Sequence, residues 1–469
     1  MKLIDAAEVA RHSTEKDCWV IIHGKVWDVS KFLSDHPGGA GVIARFSGRD
    51  ATEAYNEVHD PELVTSTLPS SMCLGNILPG CLVKLRQEAA AAPTATMTVH
   101  PPRPPLQSII NADDFEKVAR NYLSPTGWAY YAGGTEDEVS LMDTRRLFRM
   151  ITFRPRVLRR VEPVSAAVKI LEYPSSLPLY ISPTGLGRYA HPNAESVLAS
   201  AAGKEGVIYC MPTTAAHESV FAARSRPHQP LFFQLYTTRE QSRAREIIQK
   251  VEALGAAALF LTVDSPVIGR REQDERVKAT DSPGVSSGVA KAGSLGLLNP
   301  MLSWEDLKWI RKTTSMPLVL KGVQTVEDAL LAYELGAHGI VLSNHGGRSL
   351  DTAQAPIITL LEIRRFAPHL LAPNVREKFQ VFLDGGIRRG TDVLKALALG
   401  ASAVGIGRPF LYSMTADYGE AGVTRLLQML RVEIETSMAL AGATTIEDLV
   451  PEMINSERAE SEVSRRIKL

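Results

Sequence analysis

The segment Ser343-Asn344-His345-Gly346-Gly347-Arg348 sets an imidazole ahead of two glycines, with an arginine three residues on. The glycines leave the ring exposed, with room beside it for a flat ligand, and Arg348 can reach the same space. A histidine alone is more often structural. Joined to Asp264, which closes a separate apolar run, His345 reads as a base whose protonated form is stabilised by a carboxylate. Lys321 ends another apolar run, where a buried cation needs an anionic partner. Two segments look built for phosphate: Asp384-Gly385-Gly386-Ile387-Arg388 and Gly405-Ile406-Gly407-Arg408. Glycines let backbone N–H groups approach an anion, and arginine offers a bidentate fork. The plainer alternative is two glycine turns with surface arginines. Near the N-terminus, His36 opens His36-Pro37-Gly38-Gly39, and His59 follows 23 residues later. Two imidazoles from separate helix–loop segments can hold a haem iron on both axial faces. Gly185-Leu186-Gly187-Arg188-Tyr189-Ala190 matches a dinucleotide fingerprint, but the acid that should close the next strand, Glu205, precedes it. A nicotinamide site is therefore discounted.

The elements that must position these groups recur with one rhythm. Eight short apolar runs lie at Pro178–Ser182, Gly206–Met211, Leu231–Tyr236, Ala257–Val263, Pro317–Lys321, Gly339–Ser343, Phe379–Leu383 and Ala403–Ile406. Near-continuous apolar runs suit parallel strands buried on both faces. Helical patterns lie between them, at Ala194–Lys204, Glu240–Leu254, Val326–Leu335 and Asp392–Leu399, several followed by a capping glycine (Gly255, Gly336, Gly400). Eight strand–helix units predict an α/β fold, a (β/α)8 barrel, with a doubly wound open sheet as the rival. In a barrel the C-terminal strand ends form the active site. Those ends carry Thr184, Thr213, Tyr236, Asp264, Lys321, His345, Asp384 and Arg408. One connection breaks the rhythm: Thr280–Asn299, rich in Gly, Ser and Ala, predicts a mobile lid or a disordered excursion.

Composition narrows the function classes. The chain has 469 residues, and 52 basic residues cancel 52 acidic ones, which argues against nucleic acid held by bulk charge. Four scattered cysteines (Cys18, Cys73, Cys81, Cys210) make neither a disulfide framework nor a zinc cluster. The longest apolar run, Gly255 to Val263, falls far short of a membrane span. Lys2, Asp5 and Glu8 stand where a signal core would be apolar, so no presequence is read. Residues 81–106 change character, from an alanine run to Pro101, Pro102, Pro104 and Pro105. They read as a semi-rigid linker between domains at 1–80 and 107–469, the alternative being a surface loop.

At these residues the chain resembles two known families. Residues 1 to about 80 look like a small α+β cytochrome b5 domain, on Asp17-Cys18-Trp19-Val20, Val26-Trp27-Asp28-Val29, His36-Pro37-Gly38-Gly39, Gly48-Arg49-Asp50-Ala51-Thr52 and His59. Residues from about 107 to 455 resemble the FMN-dependent 2-hydroxy-acid dehydrogenases and oxidases. The matching motifs are Gly127-Trp128-Ala129-Tyr130-Tyr131, Thr262-Val263-Asp264, Gly269-Arg270-Arg271-Glu272, Lys321-Gly322-Val323, Ser343 to Arg348 and Asp384-Gly385-Gly386.

The resemblance implies FMN and haem b as cofactors, with His36 and His59 on the iron. It implies that Tyr130, Arg271 and Arg348 hold the substrate carboxylate and Tyr236 bonds its hydroxyl. His345 is the implied base, oriented by Asp264, and Lys321 stabilises the anionic reduced flavin. Ser182, Pro183, Thr184, Thr213, Gln234 and Thr262 line the flavin ring. Asp384, Gly385, Gly386, Arg388, Gly407 and Arg408 bind its phosphate end. A 2-hydroxy acid is the implied substrate, cytochrome c the acceptor and a homotetramer the assembly. An oxidase making hydrogen peroxide, or a haem-binding module on an inactive barrel, are the rival readings. The family's lactate oxidisers imply the mitochondrial intermembrane space, with the cytoplasm as the other reading. The ending Ile467-Lys468-Leu469 only weakly resembles a peroxisomal signal. Lactate-oxidising relatives carry alanine and a large apolar residue where this chain has Gly185 and Ala215. A bulkier acid such as mandelate is therefore expected to fit better than lactate.

Overall fold

A computed structural model describes residues 2–33, 36, 40–56, 59, 61, 63–81, 101–281 and 298–464. Most of the expected linker, the Gly/Ser/Ala connection from 282 to 297, the three residues after His36 and the C-terminal tripeptide lie outside the described residues. By internal contacts the chain divides into two units, Met1–Arg103 with Asp274–Gly296 and Pro104–Gln273 with Leu297–Leu469. All four cysteines are free. Among the described residues no helix is long and apolar enough to cross a membrane.

The first unit holds a small mixed sheet with its neighbours in the order Leu3–Ile4, Cys73–Ile77, Lys25–Asp28, Asp17–Ile22 and Ser13–Thr14. Side chains alternate across it. Val20, Ile22 and Trp27 join one apolar cluster with Leu33, Val64 and Leu68, while Ile21 and Val26 join the other with Val9 and Ile77. The short helices Ala40–Ala44, Thr52–Asn56 and Leu63–Thr67 belong to this unit.

In the second unit eight parallel strands close into a barrel. They are β1 (Leu179–Ile181), β2 (Ile208–Met211), β3 (Leu231–Leu235), β4 (Ala258–Thr262), β5 (Leu318–Val323), β6 (Gly339–Leu342), β7 (Gln380–Asp384) and β8 (Ala403–Ile406). Each expected run overlaps one strand, β5 running on to Val323 and β7 to Asp384. Alternation explains why the runs are apolar throughout. Tyr180, Cys210, Phe232, Phe260, Val319, Val341, Phe382 and Ala403 form one interior cluster, and their strand neighbours pack outward beneath the helices. Phe232, Phe260 and Phe382 stack at centroid spacings of 5.2 and 6.1 Å.

The helices end where glycine allows a left-handed residue, at Gly206, Gly255, Gly336 and Gly400. Thr325 caps Val326–Glu334 by accepting from the Asp328 N–H. An antiparallel hairpin, Val168–Ile170 with Tyr173–Ser175, covers the N-terminal end of the barrel. It adds Ile170 and Leu171 to the interior cluster. The Leu171 N–H donates to Gln380 Oε1 (2.8 Å), and the Tyr173 hydroxyl donates to the Ala257 carbonyl (3.1 Å). Plugging that end leaves the C-terminal strand ends as the open face.

Candidate active site

The loop after β6 carries the strained residue. His345 has φ 58°, followed by Gly346 at 65° and Gly347 at 73°. Left-handed backbone at a non-glycine costs on the order of 1–3 kcal/mol and persists only where its surroundings enforce it. Here the His345 N–H donates to Ser343 Oγ (3.1 Å), and the Gly347 N–H to the Asn344 carbonyl (3.0 Å). The Gly347 carbonyl accepts from Thr135 N–H (2.9 Å). The turn aims His345 Nδ1 at Asp264 Oδ1 (2.9 Å) and Nε2 at the Tyr236 hydroxyl (3.3 Å).

Asp264 reaches His345 because β5 bulges. At Gly322 φ is +111°, and an added Cβ would stand 2.5 Å from Asp264 Cβ and 2.9 Å from its N. Only glycine lets the two strand ends approach this closely. Burial opposes charge on Asp264, but His345 and Lys321 outweigh it and hold the carboxyl below its usual range. Burial pushes His345 below the ordinary imidazole value, against the pull of Asp264. The resting pair is therefore carboxylate and neutral imidazole. A carboxylate can only accept, so Nδ1 carries the proton and Nε2 presents a lone pair. Burial, with Asp264 nearby, raises the Tyr236 phenol to about 12, so it stays a donor. Lys321 donates to Ser343 Oγ (3.1 Å) and pairs with Asp384 (3.1 Å). Burial works against its charge, but Asp384 and Asp264 prevail and keep it protonated.

An open cavity lies over these groups at the C-terminal strand ends. Its lining includes Ser182, Pro183, Thr184, Gln234, Tyr236, Thr262, Lys321, His345, Arg348, Asp384 to Arg388 and Gly405 to Arg408. Thr213, Asp264, Tyr130, Arg271, Gly185 and Ala215 are not among the lining residues. Asp264 stands behind His345. Thr213 stands behind Gln234, its N–H donating to Gln234 Oε1 (3.1 Å) and its hydroxyl to the Gln234 carbonyl (2.7 Å). Arg348 and Arg271 flank the Tyr130 ring, 4.8 and 5.8 Å from its centroid.

Gly185 does not simply open onto free space. A Cβ there would meet Thr214 Oγ1 at 2.6 Å, and Thr214 is exposed. Ala215 is half-buried against the main core. The Arg408 guanidinium is also committed elsewhere, donating to the carbonyls of Tyr131 (2.7 Å), Gly346 (2.9 Å) and Gly133 (3.0 Å). Arg388 pairs with Glu116 (3.3 Å) on the helix Ala112–Tyr122. Sequence reading missed Glu116, and also Ser265 and Ser349, which adjoin Asp264 and Arg348 in sequence and meet beside His345.

The cavity fits a flat ligand bearing hydrogen-bonding groups. Ser182 Oγ and Thr184 Oγ1 are buried on its wall with no hydrogen-bond partner among the described residues. Gly385 (φ 88°) and Gly386 (φ 76°) present left-handed backbone to the same space. In the first unit the His36 and His59 rings are neighbours, with centroids 5.9 Å apart and planes tilted by 53°. Metal–imidazole bonds of about 2 Å on either side of one ion require a spacing close to this.

The family model described as FMN-dependent dehydrogenase matches residues 119–456, and that described as cytochrome b5-like haem/steroid-binding domain matches residues 5–78. The chain belongs to the FMN-dependent dehydrogenase family. Its cofactors are FMN, in the barrel, and haem b, in the cytochrome b5-like domain. Within that family it is similar to L-lactate dehydrogenase (cytochrome) of Wickerhamomyces anomalus, 39% identical over 96% of this chain and 79% of that protein. Glycolate oxidase 3 of Arabidopsis thaliana is 39% identical over 73% of this chain and 94% of that one. A solved leucine-to-alanine mutant of flavocytochrome b2 with benzoylformate is 38% identical with a TM-score of 0.71, covering 78% of this chain and 90% of that one.

Proposed function

We propose that this dehydrogenase oxidises an L-2-hydroxy acid to the 2-keto acid and passes the electrons through its haem domain to cytochrome c. The observation that carries the chemistry is His345 held between Asp264 and Tyr236 at the cavity wall. FMN, when bound, supplies an acceptor that takes two electrons from an organic substrate and gives them up singly.

The chain's residues do the rest. Arg348 and Arg271, with Tyr130, hold the substrate carboxylate, a task suited to paired guanidinium forks. Tyr236 donates to the substrate hydroxyl and directs its proton toward His345 Nε2. His345 takes that proton, and Asp264 stabilises the imidazolium that results. Lys321, which lines the cavity, would set its positive charge beside the flavin ring. Ser182, Pro183, Thr184, Gln234 and Thr262 would bound the ring, with Thr213 behind Gln234. Gly385, Gly386, Arg388 and Gly407 would hold the phosphate end, the Asp384 carboxylate being turned to Lys321 instead. Arg408 contributes there through its backbone, since its side chain ties the Tyr131, Gly133 and Gly346 carbonyls together.

The haem domain favours an electron-transfer acceptor over oxygen. Hydrogen peroxide production is the second reading, supported by the barrel's likeness to a glycolate oxidase. An inactive barrel is disfavoured because Tyr130, Tyr236, Asp264, Arg271, Lys321, His345 and Arg348 are all present. Assembly as a homotetramer, and a compartment shared with cytochrome c, rest on the family resemblance alone.

The substrate side chain is proposed to lie toward Gly185, Thr214 and Ala215, small residues that lie beyond the cavity's own lining after β1 and β2. A longer or aromatic substituent gains roughly 0.8 kcal/mol per buried CH₂. That favours it over lactate by about 10–200-fold in kcat/KM. Thr214 is the residue that can fill the gap, so the comparison is a real test. Anaerobic mixing with L-lactate, L-mandelate and L-2-hydroxyoctanoate, following flavin bleaching, then haem reduction, then cytochrome c reduction, examines both points. Lactate winning by tenfold or more defeats the pocket argument. Bleaching that is followed by peroxide on admitting air, with haem and cytochrome c left oxidised, defeats the acceptor.

A further inference from the structure

One serine touches the His345–Asp264 pair, and a second serine touches the first, neither being needed for the roles above. Ser265 Oγ lies 3.3 Å from Asp264 Oδ1, 3.2 Å from His345 Nδ1 and 3.2 Å from Ser349 Oγ. Asp264 Oδ1 is already the acceptor of the imidazole N–H. Asp264 Oδ2 is buried and meets no hydrogen-bond partner among the described residues, so Oδ1 carries both bonds. With the Ser265 proton on Asp264, Ser349 is left to donate to Ser265.

We propose that the Ser265–Ser349 hydroxyl pair is a positioning device that sets the basicity of His345. The proposal rests on the reading of His345 as the base.

The physical reason is competition for one oxygen. A carboxylate that accepts a second donor holds an imidazolium less strongly. Ser265 therefore makes His345 easier to deprotonate, and Ser349 strengthens that effect by polarising the Ser265 hydroxyl. The other groups facing the ring are Lys321 from β5 and Arg271 from the loop after β4, both cationic, with the Tyr236 hydroxyl after β3. Arg348 follows on the histidine's own loop.

The two serines meet because their loops are locked together. A Cβ at Gly269 would stand 2.0 Å from the Ser349 carbonyl oxygen and 2.5 Å from Thr135 Cγ2, so the chain passes there only as glycine. Arg271 Nε donates to the Arg348 carbonyl at 3.4 Å. The hydroxyl pair thus sits in a fixed register between the loops after β4 and β6.

The test is a pH titration of the histidine-labelled FMN holoenzyme by NMR, the His345 signal being assigned by its loss in His345→Gln. Ser265→Ala should raise the His345 midpoint by about half a pH unit or more, the scale of one lost hydrogen bond. Ser349→Ala should raise it by less, and Ser265→Thr, which keeps a hydroxyl, should stay near the parent. FMN absorbance and the thermal midpoint check that each variant is folded. A midpoint unchanged or lowered in Ser265→Ala overturns the proposal, as does a Ser265→Thr that behaves like Ser265→Ala. The acid limb of flavin reduction is read alongside. If it moves with the NMR midpoint, both readings stand. If the midpoint moves and the limb does not, His345 as base fails while the serine pair stands.

Discussion

His345→Gln lowers the rate of flavin reduction by substrate about 10²–10⁴-fold, the usual contribution of a general base, while FMN stays bound. Glutamine keeps a polar side chain of similar reach, so the loss reports proton transfer more than packing. Stopped-flow bleaching of the flavin measures it, and a drop below tenfold counts against the role. The pH profile of the unmodified protein supplies an independent check. His345 is pushed below the ordinary imidazole value by burial, and it works as the neutral form. Neutral imidazole predominates above its pKa, so activity is complete at neutral pH. It is lost as pH falls, through a midpoint below about 6.5. A limb above that value contradicts the assigned state. Asp264 holds its own carboxyl below the usual range, so it remains ionised across the same window.

Removing either proposed haem ligand, His36 or His59, separates the two halves of the reaction. His36→Ala or His59→Ala abolishes the low-spin bis-imidazole haem spectrum and electron delivery to cytochrome c. Bleaching of the flavin by the hydroxy acid continues, because Tyr236, Asp264 and His345 belong to a different unit. The rings are 5.9 Å apart in the chain itself, so the sheet and short helices hold the pair close to its ligating separation. A visible spectrum and a cytochrome c reduction assay of each variant decide the matter. A bis-imidazole spectrum that survives in His59→Ala refutes the assignment.

The barrel was legible because parallel strands buried on both faces must be apolar throughout, and eight such runs alternate with helices that stop at glycine. The hairpin at 168–175 was not. Its strands are three residues each, and its value lies in plugging the barrel interior, which no local pattern records. The 23-residue helix Gly419–Ala441 also escaped the strand–helix count, because it follows the last strand instead of linking two.

The candidate site divides in the same way. Residue types and local turns came from the sequence: an imidazole before two glycines, a carboxylate ending an apolar run, and glycines able to take left-handed backbone at 346, 347, 385 and 386. What each group bonds to was decided by barrel closure. The His345–Asp264 bond joins residues 81 apart, and the Arg408 bonds to Gly346 and Gly133 span 62 and 275. Arg408 read as a phosphate fork because an arginine beside glycines suits an anion. Folding instead offered it three carbonyls in a buried place where an unmet guanidinium would be costly. Gly185 read as a missing methyl in the pocket wall, and only the neighbouring strand end shows that Thr214 faces that space. Sequence determines which groups are available and how the chain can turn beside them. Because hydrogen bonds act only over about 3 Å, tertiary structure alone decides which of those groups meet.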